Sequence, residues 1–144
     1  MINTNKIEEA KQLIKNSTKP IIIKAKDDLF NRKILEYGKF EILLDIESGE
    51  RKRSLRNIDS GMNEFIASIA AKKNVAIGID LNSLRESNNK DKIKKLEGIA
   101  QNIKLCRKAG AKIKIINYKD KKNALAFMLS LGSSTKQATE AVEL

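Results

Sequence analysis

The sequence predicts an α/β fold in which strands and helices alternate around an open, four-stranded parallel sheet. Four short apolar runs, rich in β-branched residues, have the length and composition of buried strands. Between them lie longer segments in which apolar residues recur at helical spacing. Strands separated by such helices join through right-handed crossovers into a parallel sheet, and four strands are too few to close an eight-stranded barrel. We therefore expect a single α/β domain over residues 1–144, with at least one sheet edge available to another chain.

The first part of the chain contains two predicted strands, each preceded by a helix. Segment 7–14 has apolar residues at helical spacing, a cap is expected within residues 3–5, and Pro20 belongs to a stop signal. Asp27 is the expected N-cap of the second helix, and Gly38 ends that helix. The predicted elements are a helix over 7–16, a strand over 21–26, a helix over 27–38 and a strand over 40–46.

The third predicted helix has the clearest pattern in the chain. Its apolar residues Met62, Phe65, Ile66, Ile69 and Ala70 share one helical face, which predicts that this face is buried. The elements predicted from this point are a helix from 59–61 to Lys73, a strand over 74–80, a charged loop from Leu84 to Lys95 that becomes a long helix ending at Gly110, a strand over 111–118, a helix over 123–131 and a last helix capped at 133–134.

Four single positions in this second part carry further predictions. Gly78, inside the third strand, either allows a close approach to the backbone or relieves packing. Lys112 and Lys114 alternate with apolar residues, which predicts that the fourth strand is an edge strand with one solvated face. Cys106 lies on the apolar face of the long helix, so we expect a small core residue rather than a reactive thiol.

The charge balance favours a polyanionic partner. The chain has 29 Lys and Arg against 18 Asp and Glu, a formal charge of +11, and nucleic acid is the first candidate for a small protein of this kind. The alternative is a lysine-rich proteome in which every surface is basic. No apolar run is long enough to span a bilayer, and the N-terminus has no signal-peptide stretch, so we expect no membrane association and a cytoplasmic location.

Few residues of the chain are suited to catalysis. The absence of histidine excludes histidine-based triads, general bases and metal ligands, and no phosphate-cradling glycine motif is present. Asp45 and Asp80 follow the second and third strands and could bind a divalent cation, but we favour capping or pairing with neighbouring cations. We therefore predict no catalytic residue and no metal site.

Two groups of cations are the better candidates for a binding surface. The first is a loop with Arg51, Lys52, Arg53 and Arg56, beside a helix start that can donate N–H groups to a phosphate. The second is Lys104, Arg107 and Lys108 near the end of the long helix, where compensation of the helix dipole is the alternative explanation. Aromatic residues are only 4%, so backbone and shape recognition of folded RNA fits better than base stacking.

Four segments of the chain resemble, in order, the archaeal ribonuclease P protein component 3 family, the counterpart of the thirty-kilodalton ribonuclease P subunit. The more specific parts are the Ser60–Asn63 element (S-G-hydrophobic-N) and the Gln101–Lys108 element (Q-N-I-K-L-C-R-K). The resembling segments are KFEILLDIESG, IDSGMNEFIASIAAKKNVAIGID, GIAQNIKLCRKAGAKIKII and LGSSTKQATEAV.

The resemblance implies an incomplete (β/α) barrel-like fold and a non-catalytic subunit of ribonuclease P. In this enzyme the RNA component removes 5′ leaders from precursor tRNA, with divalent cations such as Mg²⁺ for the RNA and no cofactor in this chain. The implied partners are ribonuclease P RNA, a small companion protein subunit and, indirectly, precursor tRNA. A heterotetramer of the two proteins is one implied arrangement. The predicted RNA-binding residues are Arg51, Lys52, Arg53, Arg56, Ser60, Asn63, Lys24, Lys104, Arg107 and Lys108.

The chain departs from the family pattern at its N-terminus. Family members begin with additional βα units, and this chain starts at what resembles the third. Either the chain is a reduced member or a partner chain completes the sheet. Two other functions stay open: a small metal-dependent phosphoesterase that uses Asp45 and Asp80, and an unrelated basic module whose open edge pairs with a protein.

Overall fold

The computed structural model describes residues 1–49, 51 and 58–143, and it shows the alternation of strands and helices that the sequence predicts. The elements are α1 (Ile7–Lys15), β1 (Ile22–Lys24), α2 (Asp28–Tyr37), β2 (Ile42–Leu44), α3 (Glu64–Lys73), β3 (Ala76–Asp80), α4 (Leu81–Glu86), α5 (Asn89–Ala109), β4 (Ile113–Ile116), α6 (Lys121–Ser130) and α7 (Thr135–Ala141). Within the described ranges, no helix combines the length and apolar character needed to cross a membrane.

The four strands form one parallel sheet in the order β1-β2-β3-β4, which confirms the predicted open α/β architecture. Ile23, Leu43, Ile77 and Ile113 lie side by side in register, and all four are buried. The strands follow one another in sequence order, and right-handed crossovers between such strands place all the connecting helices on the same side of the sheet. The row of four buried residues therefore belongs to the face of the sheet that the helices cover. At the edge of β1, Ile2 adds a single parallel bridge to Ile23.

Several helix ends match their predicted signals. The Asp27 side chain caps α2 by accepting a hydrogen bond from the Phe30 N–H at 2.8 Å. Ser134 caps α7 in a reciprocal capping box with Gln137, and Gly110 ends α5 in the left-handed conformation. These polar side chains satisfy helix-terminal groups that would otherwise lack partners.

One predicted helix start and one predicted N-cap were wrong. The third helix begins at Glu64 with Asn63 as its N-cap, because Gly61 has a positive φ of 82° and the preceding turn is closed by a bond from the Gly61 N–H to Asp59. The first helix has Lys6 as its N-cap without a side-chain capping bond, rather than a capping residue within 3–5.

The predicted loop after the third strand contains a short helix, α4. Leu81 and Leu84 of this helix are buried. The loop was predicted because the residues that follow are strongly polar. Two apolar residues expected on buried faces are exposed instead: Phe65 is 53% exposed and Ile93 is 60% exposed. The Phe65 ring contacts the Arg32 guanidinium, 5.1 Å from its centroid, rather than the core.

The single-residue predictions of the second part are confirmed. A side chain at Gly78 would lie 2.6 Å from Ile42 Cγ2, so this glycine relieves packing between β2 and β3. Lys112 is exposed and β4 ends the sheet, as expected for an edge strand. Cys106 is buried in the core, and burial raises the pKa of its thiol to about 12, which disfavours the reactive thiolate.

Candidate functional site

A buried ionic network occupies the carboxyl ends of β1 and β2, where βα folds usually bind their ligands. Lys24 Nζ lies 2.7 Å from Asp45 Oδ2, and the Ser83 hydroxyl donates to the same oxygen at 2.9 Å. Lys95 Nζ in turn donates to the Ser83 hydroxyl oxygen at 2.9 Å. Burial alone would raise the pKa of Asp45, but the hydrogen bonds and charges of Lys24, Ser83 and Lys95 hold it below its ordinary value. Lys24, a predicted RNA ligand, is thus engaged by a carboxylate.

Glu47 lies beside this network and is also buried. Burial, together with the negative charge of Asp45 and a hydrogen bond between the two carboxyl groups, raises the pKa of Glu47 to about 8. The Glu47 carboxyl group is therefore largely protonated at neutral pH, so the pair holds one negative charge rather than two. A protonated buried carboxyl group can donate to its ionised neighbour, which makes this pair compatible with burial.

Asp80 is engaged separately from Asp45. Its Oδ1 accepts from the Asn82 N–H at 3.0 Å, which caps α4, and from Asn117 Nδ2 at 2.8 Å. The favoured interpretation of the two aspartates, pairing and capping, is confirmed. No group of three or more acidic, cysteine or histidine side chains that could hold a metal ion occurs among residues 1–49, 51 and 58–143.

Arg51 is held inside the protein rather than presented to solvent. Its side chain is 8% exposed; Nη1 lies 2.9 Å from Asp28 and 3.1 Å from Asp59, and Nη2 donates to the Ile46 carbonyl oxygen at 3.0 Å. The closely packed Gly61 leaves room for this guanidinium, since a side chain there would lie 2.8 Å from Arg51 Nη2. Carboxylates and carbonyl groups thus already bind the donors of Arg51, which indicates a structural role, and its direct RNA contact stays a prediction.

The cavity beside Arg51 has mixed charge. It has a volume of about 500 Å³ at the ends of β1 and β2. Its charged lining residues are Lys24, Lys26, Arg51, Asp27, Asp28, Asp45 and Asp59. Among the described lining residues the carboxylates outnumber the cations and pair with two of them, so this part of the lining gives a phosphate no net positive environment.

Ser60, another predicted RNA ligand, is fully buried and makes internal hydrogen bonds, and its contact with RNA stays a prediction. Its hydroxyl oxygen accepts from Gln101 Nε2 at 3.2 Å, and its carbonyl oxygen accepts from Asn102 Nδ2 at 3.2 Å. The two elements of the sequence that most specifically resemble a known family thus contact each other and join α5 to the segment before α3. Asn63 is exposed and caps α3, so its RNA contact stays a prediction.

The remaining predicted ligands divide into three groups. Arg107 donates to the Gly132 carbonyl oxygen at 2.8 Å, and Lys108 Nζ lies 2.6 Å from Glu64 Oε1, which lowers the pKa of Glu64. Lys104 is exposed, and in the described part of the chain it has no ion pair. The other predicted clamp residues, Lys52, Arg53 and Arg56, lie outside the described residues.

The opposite end of the sheet carries a surface that the sequence analysis missed. At this end each helix finishes and the chain leads into the next strand. The last helical turns and the loops that follow them therefore lie together at the amino ends of the strands. In these four connections the charged residues are eight cations and two acids, namely Lys15, Lys19, Lys39, Lys72, Lys73, Arg107, Lys108 and Lys112 against Glu36 and Glu41. The available signal was the predicted parallel topology, which places these helix ends side by side.

At the carboxyl ends of the strands the described positive and negative charges nearly cancel. Each connection there is followed through the first turn of the helix after it. With the last residue of each strand included, the described part of these connections contains nine cations, Lys24, Lys26, Arg51, Arg85, Lys90, Lys92, Lys119, Lys121 and Lys122, and ten acids, Asp27, Asp28, Asp45, Glu47, Asp59, Glu64, Asp80, Glu86, Asp91 and Asp120. In the described structure, the positive charge of the protein is therefore concentrated at the amino ends of the strands.

Comparison with known proteins gives a consistent set of relatives. No family model matches the chain. The chain is 28% identical over 106 residues to ribonuclease P protein component 3 from Methanococcus maripaludis strains C7 and C6, which covers 74% of this chain and 43% of each relative. A third relative of the same name, from strain DSM 14266, is 27% identical over the same length. The chain thus spans less than half the length of these curated relatives.

A solved structure shows the same fold. A chain in the cryo-EM structure of archaeal ribonuclease P with mature tRNA matches with a TM-score of 0.77 and 21% identity, over 97% of this chain and 62% of the solved one. The resemblance to ribonuclease P protein component 3 that the sequence segments indicated is thereby confirmed.

Proposed function

We propose that this protein is a non-catalytic subunit of ribonuclease P that binds and stabilises the catalytic RNA during removal of 5′ leaders from precursor tRNA. The observation that carries this proposal is the similarity to ribonuclease P protein component 3 over 106 residues. The fold match to a chain of archaeal ribonuclease P extends over nearly the whole chain and supports it.

The electrostatics of the chain agree with an RNA partner. A formal charge of +11 attracts a polyanion, and basic side chains that contact phosphates release counterions when they bind. The described aromatic rings do not form a stacking platform: Phe30 and Phe40 are buried, and Phe65 contacts Arg32. We therefore propose recognition of the RNA backbone and of RNA shape.

The arrangement of carboxylates supports a non-catalytic role. A metal-dependent phosphoesterase would need Asp45 and Asp80 as metal ligands, whereas Asp45 is paired with Lys24 and Asp80 caps α4. In the proposed enzyme the RNA performs the cleavage, with divalent cations such as Mg²⁺ bound by the RNA, and the chain itself binds no cofactor.

The proposed partners are ribonuclease P RNA, a companion ribonuclease P protein and, indirectly, precursor tRNA. At the edge of β1, Ile2 already bonds to Ile22 and Lys24, so we propose β4 as the edge strand along which a protein partner can extend the sheet. We propose a cytoplasmic complex of archaeal type, with a heterotetramer of the two proteins as one arrangement.

Reconstitution tests this function. Ribonuclease P RNA and the companion subunits are assembled with and without this protein, and cleavage of precursor tRNA is measured at a fixed Mg²⁺ concentration. We expect the protein to increase cleavage or to shift RNA folding to lower Mg²⁺ concentrations. An unchanged cleavage rate together with unchanged RNA folding would contradict the proposal. Metal-stimulated phosphodiester hydrolysis by the protein alone, abolished in Asp80→Ala, would favour the phosphoesterase.

A further inference from the structure

Three lysines from different parts of the chain lie around Tyr37 and Gly38: one in α1, one in the connection from α2 to β2, and one in the last turn of α3. Lys11 Nζ lies 5.4 Å from the centroid of the Tyr37 ring, and Lys39 Nζ lies 5.3 Å from the same centroid. The side chain of Lys73 packs against Gly38, since a side-chain carbon built at that glycine would lie 3.2 Å from Lys73 Cδ. We call Lys11, Lys39 and Lys73 the Tyr37 cluster.

The protein supplies little negative charge to this cluster. Lys11 has one carboxylate partner, Glu8 at 3.7 Å, and that glutamate side chain is 84% exposed. Within residues 1–49, 51 and 58–143, Lys39 and Lys73 have no ion pair. Positive charges with so few carboxylate partners create a positive local potential, so this region favours binding of negative charge.

The backbone at Lys39 is a second, independent sign that the lysine matters at this position. Lys39 has a φ of 63°, in the left-handed region that glycine and asparagine adopt more readily than lysine. The Lys39 side chain is exposed and lies outside the core, whereas the next residue, Phe40, is buried in the core. A lysine in a conformation that disfavours it is expected where its charge is used.

The shape of the cluster fits a phosphate backbone. Cation–π contacts with the Tyr37 ring restrain Lys11 and Lys39 while leaving their charges available. Lysine contacts phosphates as a point charge without reading bases, which suits recognition of a folded RNA by its backbone. The cluster also lies at the amino ends of the strands, where the other helix-terminal cations are located.

We infer that the Tyr37 cluster is a phosphate-backbone contact for RNA, at the amino ends of the strands. This inference rests on the proposed function, because it assumes that the chain binds RNA. It assigns three residues to that interaction, all of them outside the set predicted from the sequence.

The test compares two variants that each remove three positive charges. The cluster variant is Lys11→Gln, Lys39→Gln and Lys73→Gln. The matched control is Lys119→Gln, Lys121→Gln and Lys122→Gln, which changes exposed lysines at the other end of the sheet. Binding to ribonuclease P RNA is measured over a range of salt concentrations, and circular dichroism confirms that both variants fold.

The measured quantity is the slope of the logarithm of the binding constant against the logarithm of the salt concentration. We expect this slope to be shallower by about 2 to 3 in the cluster variant, and its affinity to be about tenfold or more lower at moderate salt. The control variant should retain the wild-type slope. Equal slopes for the cluster variant and the wild type, or a larger loss in the control, would overturn the inference. If the wild-type protein itself shows no salt-dependent RNA binding, the proposed function fails. This result differs from the failure of the inference alone, in which the wild-type protein binds RNA and the cluster variant keeps its slope.

Lys39→Gly separates loss of contact from loss of folding. Glycine adopts the positive φ more readily, so this variant should have a raised Tm while its salt slope falls by about 1. A raised Tm with an unchanged slope would show that Lys39 does not contact phosphate and would contradict the inference for this residue.

Discussion

The two ends of the sheet differ in how their charges are arranged. At the carboxyl ends of the strands, Lys24 is paired with Asp45, and Arg51 is paired with Asp28 and Asp59. At the amino ends, Lys39 and Lys73 are exposed, and in the described part of the chain no carboxylate pairs with them. The first arrangement stabilises the protein internally, whereas the second leaves positive charge available to a partner.

The difference follows from how helices begin and end. Acidic and polar residues cap helix starts, and basic residues are favoured in last turns because of the helix dipole. In a parallel βα fold every start lies at one end of the sheet and every finish at the other. Ordinary helix chemistry can therefore give such a fold one basic end, and here that end lies opposite the usual binding site of βα enzymes.

The buried acid at the carboxyl ends gives the largest expected effect. Because the pKa of Glu47 is raised from 4.5 to about 8 in the folded protein, its contribution to stability is present below about pH 4.5 and is lost as the pH rises toward 8. The loss over this range is on the order of 3 to 5 kcal/mol. Glu47→Gln should flatten this decline, as measured by urea denaturation from pH 5 to pH 9.

The matched control for Glu47 is an exposed glutamate, Glu86→Gln, which should keep the wild-type dependence on pH. The comparison between the two ends would be weakened if Glu47→Gln also kept the wild-type profile, because the buried pair would then not hold a proton at neutral pH.

Breaking the Lys24–Asp45 pair should have the next largest effect. Asp45→Ala leaves the largely buried Lys24 without its carboxylate and places alanine at a φ of 68°, and it should lower the free energy of unfolding by about 3 kcal/mol. Asp45→Asn keeps a residue that tolerates this φ and an oxygen that can accept from Lys24 and Ser83, so it should lose less stability than Asp45→Ala.

A double-mutant cycle isolates the pair itself. Lys24→Met combined with Asp45→Ala should lose less stability than the two single changes predict together, because no unpaired charge remains. Additive losses would indicate that the ion pair does not couple the two strands.

The fold could be predicted from the sequence where local signals and the fold agree. The alternation of short β-branched runs with helical periods predicted the parallel sheet, and Asp27 and Ser134 marked helix starts through their capping chemistry. Helix α4 was missed because its two buried leucines, Leu81 and Leu84, are too few to set a visible period before a strongly polar stretch.

The site could be predicted less well, because its residues are defined by distant contacts. Ser60 is buried by Gln101 and Asn102, about forty positions away along the chain, and Arg51 is bound by Asp28 and Asp59. In the Tyr37 cluster each lysine is ordinary in its own segment. Only the packing of α1, α2 and α3 brings the three together.

Lysine footprinting of the assembled ribonucleoprotein tests most directly whether the amino ends of the strands face RNA. The protein is acetylated with and without ribonuclease P RNA, and modification of each lysine is measured by mass spectrometry. We predict that RNA protects Lys39 and Lys73 strongly and leaves Lys121 and Lys122 modified as in the free protein. Protection of Lys121 and Lys122 with unchanged modification of Lys39 and Lys73 would contradict the account.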